Sequence, residues 1–337
     1  MVEHSEDKEI SYFAGIDGGG TKTTVAIANG KGEILSIEAS GPSRLAVSPD
    51  DSPKKEIDKA LQSALEDLKI DKNALTAVGW GAGGLDTRRD RKRAESIIKE
   101  IAPHACPSRI EDDAIIGLFS GTFGDPGFAI IAGTGSLITG INPSGERARV
   151  DGWGYLFGDL GSAYDIGRRA IMAVLESFDG RGEDTSLTEL ILEELELDSP
   201  DELLDYFYPP ENVPREVARL AKVTDRAADL GDEVALEILD DASCELTRSA
   251  ETLIERLSLS KMEEIPAVLV GGVFNSTFVK KKVERKLQAP ANRVKIIRPK
   301  WPPVVGAIVA GMKEANYEVG KRVRKNLKEI TGGGKNE

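Results

Sequence analysis

The segment from residue 13 to residue 27 reads Phe13-Ala-Gly-Ile-Asp-Gly-Gly-Gly-Thr-Lys-Thr-Thr-Val-Ala-Ile27. An apolar run ends in a carboxylate, three glycines and a Thr/Lys/Thr cluster, and a second apolar run follows at once. Glycines can take positive φ and expose consecutive backbone N–H groups, and a concave row of such amides binds anions. A carboxylate at the end of the first run suits a Mg²⁺ ion that carries phosphates. The segment therefore predicts a nucleotide phosphate site with Asp17 as metal ligand, formed by Asp17, Gly18, Gly19, Gly20, Thr21, Lys22 and Thr23.

The same segment nearly matches the Walker A loop, G-x-x-x-x-G-K-[ST]. Thr21, however, separates Gly20 from Lys22, and a Walker loop opens a helix. Here Asn29-Gly30 lies between two apolar runs, which is a strong signal for a β-hairpin. We therefore predict that the phosphate lies in a strand–turn–strand. A glycine-rich hairpin turn without a ligand is the alternative.

Two further sites repeat the pattern of an apolar strand that ends in a glycine turn. Residues 128–142 form a strand, the turn Gly133-Thr134-Gly135-Ser136 and a second strand. Residues 267–275 form an apolar strand that ends in Gly271-Gly272, before a predicted helix over 276–287. Two copies of one supersecondary unit, about a domain apart, predict an internal duplication.

In this order, the three sites resemble the phosphate-1, phosphate-2 and adenosine motifs of the superfamily that unites actin, sugar kinases and heat-shock chaperone ATPases. The segment Trp153-Gly-Tyr-Leu-Phe-Gly-Asp-Leu-Gly-Ser-Ala-Tyr-Asp-Ile-Gly167 is similar to the one that marks the BadF/BadG/BcrA/BcrD-type ATPases and, among them, the N-acetylglucosamine kinases. Pro302-Pro-Val-Val-Gly-Ala-Ile308 fits the same family, and the resemblance covers about residues 11–315. It implies ATP and Mg²⁺ as cofactors, with phosphate contacts at Gly133, Thr134, Gly135 and Ser136 and adenosine contacts at Gly271, Gly272 and Asn275.

The fold that we expect is α/β, a two-domain actin-like ATPase (a duplicated ribonuclease H-like fold). Apolar spacing predicts helices over 54–68 and 88–101 and strands over 77–85 and 108–114. This alternation favours a largely parallel, wound sheet.

The predicted first lobe is residues 11–113 together with a C-terminal helix at about 304–330 that returns to it. The predicted second lobe is residues 114–303. Within it, residues 164–259 are almost all helix-forming, and we expect a helical insertion there. It would serve as a lid or dimer surface, or simply as a solvated cap.

The chain has 337 residues and a formal net charge of −13. This charge argues against a nucleic-acid partner, because nucleic-acid-binding surfaces are basic. No apolar run is long enough for a transmembrane helix, and residues 1–10 lack the apolar region of a secretory signal. We expect a cytoplasmic homodimer that binds a small sugar and neither nucleic acid nor membrane, with residues 1–10 as a loose leader and residues 331–337 as a frayed tail.

Cys106 and Cys244 are the only cysteines, and such isolated thiols are typical of a reducing compartment. One branch of the resembled family activates 2-hydroxyacyl-CoA dehydratases and holds a [4Fe–4S] cluster through two cysteines of each subunit. Neither cysteine here lies in the sequence contexts of that branch. We therefore predict an iron-free protein, with an ATPase that energises a redox partner as the alternative.

A carboxylate pair, Asp112-Asp113, ends the predicted strand over 108–114. In phosphoryl transfer to a sugar, a carboxylate beside the attacking hydroxyl can orient it and take its proton. The resembled kinases place a catalytic Asp before an Ala in this context, which matches Asp113 before Ala114. Asp112 is the alternative, and either carboxylate can instead cap the following helix.

The resemblance also implies a set of sugar contacts, although a plain connection or turn explains several of them equally well: Ser43, Arg44, Gly83, Gly84, Asp113, Asp159 and Ser162. Two positions depart from the family. Many N-acetylglucosamine kinases have Glu where this chain has Leu160, and many relatives have Asn where it has Arg44. A guanidinium there suits an anionic or phosphorylated acceptor, or it is a surface arginine.

Together these features predict an ATP:sugar phosphotransferase that acts on N-acetylglucosamine, glucosamine or a related hexose. The alternatives are a BadF-type ATPase coupled to a partner protein and a nucleotide-dependent sensor that phosphorylates no sugar. A sensor would keep the phosphate turns but lose the acceptor carboxylates, and both Asp113 and Asp159 are present.

Overall fold

The computed structural model describes residues 11–45, 51–85, 87–208, 213–289 and 293–330. It divides into two compact units. Unit 1 contains the described residues up to Asp125 and those from Pro299 onwards, and unit 2 runs from Pro126 to Arg298. The predicted leader and tail lie outside the described residues.

The strands are β1 Tyr12–Gly18, β2 Thr23–Asn29, β3 Ile34–Ser40, β4 Leu75–Ala82, β5 Ser108–Asp112, β6 Gly127–Ala132, β7 Ser136–Ile141, β8 Arg147–Asp151, β9 Ile265–Val270 and β10 Val294–Ile297. The helices are α1 Ser52–Leu68, α2 Arg88–Ile101, α3 Asp113–Thr122, α4 Ala163–Phe178, α5 Leu187–Leu195, α6 Glu202–Phe207, α7 Val213–Arg219, α8 Ala221–Asp229, α9 Glu233–Arg256, α10 Thr277–Leu287, α11 Val304–Glu314 and α12 Lys321–Lys328. A 3₁₀ turn over Gly272–Asn275 follows β9.

Both units contain the same five-stranded sheet. In unit 1 the strand order is β3-β2-β1-β4-β5, and in unit 2 it is β8-β7-β6-β9-β10. In each, the first three strands in sequence pair antiparallel, and the last two extend the sheet in parallel. The identical order and direction confirm the predicted duplication.

The expectation of a largely parallel sheet is wrong. Each sheet is mixed, because each half begins with a three-stranded antiparallel meander whose hairpin turns are too short for a crossover helix. The turn after β2 shows this directly: Asn29 N donates to Glu33 O at 3.0 Å, and Gly32 has φ of 79°. The Asn-Gly hairpin signal was therefore correct, and it is also the feature that makes the sheet mixed.

Helix α11 returns to unit 1 after the chain has formed unit 2. It packs against β1, β4 and α3, and its apolar side chains from Val304 to Met312 are fully buried. The approach to β4 requires glycine, because a Cβ at Gly79 would lie 1.9 Å from Ala307 O. A Cβ at Gly306 would similarly lie 2.0 Å from Ile116 O of α3. Both helices therefore belong to the core of unit 1.

The units divide at different residues from the predicted lobes. The predicted second lobe begins at residue 114, immediately before most of α3. The structure keeps α3 in unit 1, because that helix is buried against α11, and unit 2 begins at Pro126.

The predicted helical segment over 164–259 is helical in the structure and comprises α4 to α9. Its helices share one buried apolar cluster with the sheet of unit 2, including Leu187, Ile191, Leu220, Leu239 and Leu246. The stripe of buried residues along α9 recurs every three or four positions, which is the pattern of a helix with one face on a core. Across the described part of the chain, no helix combines the length and apolarity that spanning a bilayer requires.

Candidate active site

The predicted phosphate turn joins β1 to β2. Gly18 pairs with Thr23 in the ladder, and Gly19 N donates to Lys22 O at 3.1 Å to close the turn. Asp17 is half-buried, and this burial raises the pKa of its carboxyl group, with the charge of Lys22 acting in the opposite direction. The turn thus combines backbone amides, an ammonium group and one carboxylate, as the sequence predicted.

Close packing requires glycine at position 18 of this turn. Gly18, Gly19 and Gly20 all have φ outside the positive region, so the expected left-handed backbone is absent from these three residues. A Cβ at Gly18 would instead lie 2.7 Å from Ser43 Oγ and 3.0 Å from Nε1 of the buried Trp80. Glycine is needed here because neighbouring segments approach the turn on its inner side.

The segment Ser43–Leu45 is bonded to both glycine loops of unit 1. Ser43 N donates to Gly19 O at 3.1 Å, and Leu45 N donates to Gly83 O at 3.0 Å. Gly83 N in turn donates to Gly18 O at 2.9 Å. The structure therefore brings Ser43, Arg44 and Gly83 to the phosphate turn. Gly84, with φ of 80°, turns the chain immediately after that contact.

The two carboxylates at the end of β5 have different roles. Asp112 is the N-cap of α3 and accepts a hydrogen bond from Ala114 N at 2.9 Å. Asp113, the first residue of the helix, leaves its carboxylate available at the phosphate turn: a Cβ at Gly83 would lie 3.3 Å from Asp113 Oδ2. The residue is exposed to solvent, although the protein around the carboxylate still desolvates it enough to raise its pKa.

The pKa of Asp113 is raised to about 7. Desolvation is the largest cause, followed by the negative charge of Asp112 and a hydrogen bond with it. Asp17 raises this pKa further, and the positive charge of Arg44 lowers it. Asp113 is therefore a carboxyl group that can gain or lose a proton near neutral pH.

The second glycine turn, between β6 and β7, is tied to the start of α4. Gly133 N donates to Gly135 O at 2.9 Å, and the amides of Ala163 and Tyr164 donate to Gly133 O at 2.9 Å and to Thr134 O at 3.2 Å. The turn thereby has a fixed shape in unit 2.

Asp159 lies against this second turn, because a Cβ at Gly135 would lie 2.5 Å from Asp159 Oδ2. The loop that carries it is fixed by Asp151, whose carboxylate accepts hydrogen bonds from the amides of Asp159 and Leu160 at 2.9 and 3.2 Å. Leu160 in turn uses its carbonyl group to accept a hydrogen bond from Ser136 Oγ at 2.8 Å.

Ser162 has a structural role. It is the N-cap of α4, and its Oγ accepts a hydrogen bond from Asp165 N at 3.1 Å. The residue is fully buried, so its hydroxyl group is closed to solvent.

The second turn and the third glycine motif share one cavity of about 490 Å³ within unit 2. Gly133 and Thr134 line one part, and Gly272 and Asn275 line another. A cavity of this size is in the range of sites for drug-sized ligands. Two of the predicted nucleotide motifs are thus brought together, although they are far apart in the sequence.

Gly271 and Gly272 differ in what they contribute to this cavity. Gly271 has φ of 109°, and a Cβ there would lie 2.2 Å from Ala132 O, so glycine is required for the backbone itself. No atom lies within 4 Å of a Cβ built at Gly272. A side chain at Gly272 would therefore enter open space beside the cavity.

The helical segment contributes residues to the lining of this cavity, and none of them was predicted from the sequence. Arg215 of α7 and Lys222 and Asp225 of α8 line the same cavity, and Asp225 accepts a hydrogen bond from Ser276 Oγ. In the sequence they are ordinary charged residues of amphipathic helices, and only their position in the fold distinguishes them.

Each unit, taken by itself, has donors of the kind that a magnesium nucleotide needs. In unit 2, Gly133 and Thr134 of the second turn line the cavity. In unit 1, Asp17 supplies a single carboxylate beside the first turn. Mg²⁺ is commonly held by one or two carboxylates together with substrate phosphates and water. Among the described residues no group of three or more His, Cys, Asp and Glu side chains is placed to hold a metal ion by itself.

The two cysteines lie in different units. Cys106 is half-buried between α2 and β5, and burial raises the pKa of its thiol. Cys244 lies on α9, with Lys286 Nζ 2.9 Å from its Sγ.

The two sheets of identical strand order, each with a glycine turn between its first two strands, have the architecture of the actin-like ATPase fold. The family model for BadF/BadG/BcrA/BcrD ATPases matches residues 14–311, and the chain belongs to this family.

Two relatives with assigned names are similar to this chain over most of its length. The chain is similar to an N-acetylmuramic acid/N-acetylglucosamine kinase of Clostridium acetobutylicum, with 33% identity over 91% of this chain and 100% of the relative. It is 32% identical to an N-acetyl-D-glucosamine kinase of Dictyostelium discoideum over 90% of this chain and 98% of the relative.

A solved structure shares the fold. The crystal structure of a proposed N-acetylglucosamine kinase from Chromobacterium violaceum matches this chain with a TM-score of 0.71 and 24% identity, covering 90% of this chain and 99% of that one. At 24% identity this likeness concerns the fold, and it confirms the predicted actin-like architecture.

Proposed function

We propose that this protein transfers the γ-phosphoryl group of ATP to a hydroxyl group of a sugar, and that the acceptor is N-acetylglucosamine, glucosamine or a closely related hexose. The observation that carries the proposal is the position of Asp113. Its carboxylate adjoins the first phosphate turn, while its neighbour Asp112 is already used to cap α3. The names of the relatives at 32–33% identity support the same activity.

Asp113 is the proposed catalytic base. As the acceptor oxygen forms its bond to the γ-phosphorus, the hydroxyl proton passes to the Asp113 carboxylate. The bond between the γ-phosphorus and the β–γ bridging oxygen breaks, and ADP leaves with that electron pair. A base works best when its pKa is near the working pH, and the pKa of about 7 satisfies this condition. Orientation of the hydroxyl group by the same carboxylate contributes further, because phosphoryl transfer depends mainly on positioning.

The glycine turn of each unit, and the cavity of unit 2, support the proposed nucleotide-binding roles. The first turn, with Lys22, and the second turn, with Thr134, offer amides, hydroxyls and positive charge to phosphate oxygens. Gly272 and Asn275 would adjoin the adenosine in the cavity of unit 2. Asp17 would hold Mg²⁺, which when bound neutralises charge on the phosphates.

The proposed sugar contacts in unit 1 are Arg44, Gly83 and Gly84, beside Asp113. Ser43 supports them from the buried side, since its hydroxyl oxygen is 2.7 Å from Thr23 Oγ1. In unit 2 we propose Asp159 as a further sugar ligand. Ser162 would support it by fixing the start of α4.

The experiment that tests this proposal is ADP release from Mg-ATP with and without a panel of sugars. We expect N-acetylglucosamine or glucosamine to stimulate release strongly, and Asp113→Asn to abolish the stimulation while ATP still binds. Release that is the same with every sugar and without sugar would contradict the proposal and favour an ATPase coupled to a partner protein.

We also propose a cytoplasmic homodimer. The relatives named for phosphorylating sugars support a small-molecule partner. Light scattering after size-exclusion chromatography measures the mass directly, and a mass of one chain, 36.3 kDa, would contradict the dimer.

A further inference from the structure

The backbone at Arg44 is held on both sides. The preceding Ser43 and the following Leu45 donate their amides to Gly19 O and Gly83 O, and these two neighbours are 0% and 2% exposed. Arg44 itself is exposed. The backbone therefore fixes the position from which this exposed side chain extends, between the two glycine loops.

The Arg44 side chain extends towards the carboxylate of Asp113. A Cβ at Gly20 would lie 3.6 Å from Arg44 Cδ, and a Cβ at Gly83 would lie 3.7 Å from Arg44 Cγ and 3.3 Å from Asp113 Oδ2. The aliphatic part of Arg44 and the carboxylate of Asp113 thus border the same glycine. The positive charge is close enough to lower the pKa of Asp113.

The guanidinium group is not neutralised by another side chain that the structure describes. Among those residues no carboxylate comes within the 4.0 Å limit of an ion pair with Arg44. Arg324 of the same unit shows the contrast, since it makes a two-pronged pair with Asp125. A planar guanidinium has a fork of N–H donors that matches a carboxylate in geometry and charge.

Lys22 of the first turn lies close enough to Asp17 to lower the pKa of that carboxyl group. Asp113 itself has two carboxylate neighbours, Asp112 and Asp17, whose negative charges raise its pKa. An acceptor that carries its own negative charge would be repelled by these groups. The positive charge of Arg44 beside Asp113 offsets that repulsion. Its electrostatic attraction is stronger for an anionic acceptor than for a neutral one.

We infer that Arg44 makes the acceptor site select amino sugars that carry a carboxylate, which its guanidinium group binds while Asp113 engages the hydroxyl group. The inference rests on the proposed sugar phosphotransferase function. N-acetylmuramic acid is the appropriate probe, because it is N-acetylglucosamine with a lactyl group on O3 and so differs only by a substituent that bears a carboxylate. The Clostridium acetobutylicum relative is named for both sugars.

The test compares kcat/KM for N-acetylmuramic acid and N-acetylglucosamine in the wild type, Arg44→Gln and Arg44→Lys. Loss of a charge-assisted hydrogen-bonding partner is worth roughly a 10- to 100-fold change. We expect Arg44→Gln to lower the ratio of kcat/KM for N-acetylmuramic acid to kcat/KM for N-acetylglucosamine by this factor, because only the first sugar loses a partner for its carboxylate. Arg44→Lys should fall between, because the charge remains and the fork is lost.

Lys325→Gln provides the matched control. It removes one positive charge from unit 1 at an exposed position on α12, and we expect the ratio of the two kcat/KM values to stay as in the wild type. The melting temperature and the affinity for ATP report whether each variant is folded.

Four results would overturn the inference. Equal losses for both sugars in Arg44→Gln would assign Arg44 a general role, and no loss for either would place it outside the acceptor site. A wild-type protein that phosphorylates N-acetylglucosamine but not N-acetylmuramic acid would refute the selection while leaving the proposed function intact. If neither sugar is phosphorylated, the proposed function and the inference fail together.

Discussion

Replacement of Asp113 by Asn separates the chemical step from everything else at the site. Asn has nearly the same shape and can still accept a hydrogen bond from a sugar hydroxyl, but it cannot take the proton. The fold around it should persist, because Asp112 provides the cap of α3. The cavity that we assign to the adenosine is built from residues of unit 2, and Asn keeps the size of the side chain beside the first turn, so ATP affinity should be close to that of the wild type.

The expected loss follows from the role of the base. General-base catalysis contributes about 10²–10⁴-fold, which corresponds to roughly 3–5 kcal/mol of activation free energy. The assay is best done at pH 8, one unit above the pKa of about 7, where roughly nine-tenths of Asp113 in the wild type is ionised. There kcat should fall by this factor, with KM for the sugar changed only modestly.

Asp112→Asn is the matched control, since Asn caps helices about as well as Asp. If Asp112→Asn abolishes turnover and Asp113→Asn does not, the two carboxylates have been assigned in the wrong order. If both variants keep full turnover, no carboxylate at this position acts as a base, and the proposed mechanism is refuted.

Three further predictions concern the same residues and the nucleotide cavity. Because the charge and hydrogen bond of Asp112 raise the pKa of Asp113, Asp112→Asn should move the acidic limb of the kcat/KM profile to lower pH; a limb that stays in place would show that Asp113 is not the titrating base. The raised pKa of Asp113 also means that ionisation opposes folding, so stability is lost as the pH rises from the unfolded value of 3.8 through about 7. Asp113→Asn should therefore melt at a higher temperature than the wild type at pH 8 but not near pH 4, and an equal difference at both pH values would contradict the raised pKa. Gly272→Val should weaken ATP binding in calorimetry with little change in melting temperature. Gly271→Val should destabilise the fold, because only a side chain at position 271 meets the backbone of Ala132. The reverse pattern would show that Gly272 does not border the nucleotide.

The sequence predicted the parts of the fold that local chemistry determines. A strand-end carboxylate, glycines and an Asn-Gly turn placed the β1–β2 hairpin correctly, and a second copy of that pattern revealed the duplication. The predicted helices over 54–68 and 88–101 correspond to α1 and α2, because their apolar residues recur with a helical period.

Packing between distant segments was not predictable in the same way. The glycines of the first turn suggested left-handed backbone, which none of them has. Glycine is needed at position 18 because Ser43 and Trp80 approach it, and neither neighbour is close in sequence. The position of α3 in unit 1 likewise depends on α11, which lies almost two hundred residues further along the chain.

The candidate site shows the same division. Asp113 could be proposed from the sequence, but its distinction from Asp112 needed the structure, because only the start of α3 shows which carboxylate is the cap. Lys222 and Asp225 gave no signal, since a charged residue on an amphipathic helix is usually a solvated one.

The central claim is that a sugar accepts the γ-phosphoryl group of ATP at this site. The most direct measurement is mass spectrometry of the sugar after the purified protein is incubated with Mg-ATP and N-acetylglucosamine or N-acetylmuramic acid. We predict that the sugar gains one phosphoryl group in step with ADP release, and that Asp113→Asn forms almost none of this product. ADP release without any phosphorylated sugar, or the same yield from Asp113→Asn as from the wild type, would contradict the claim.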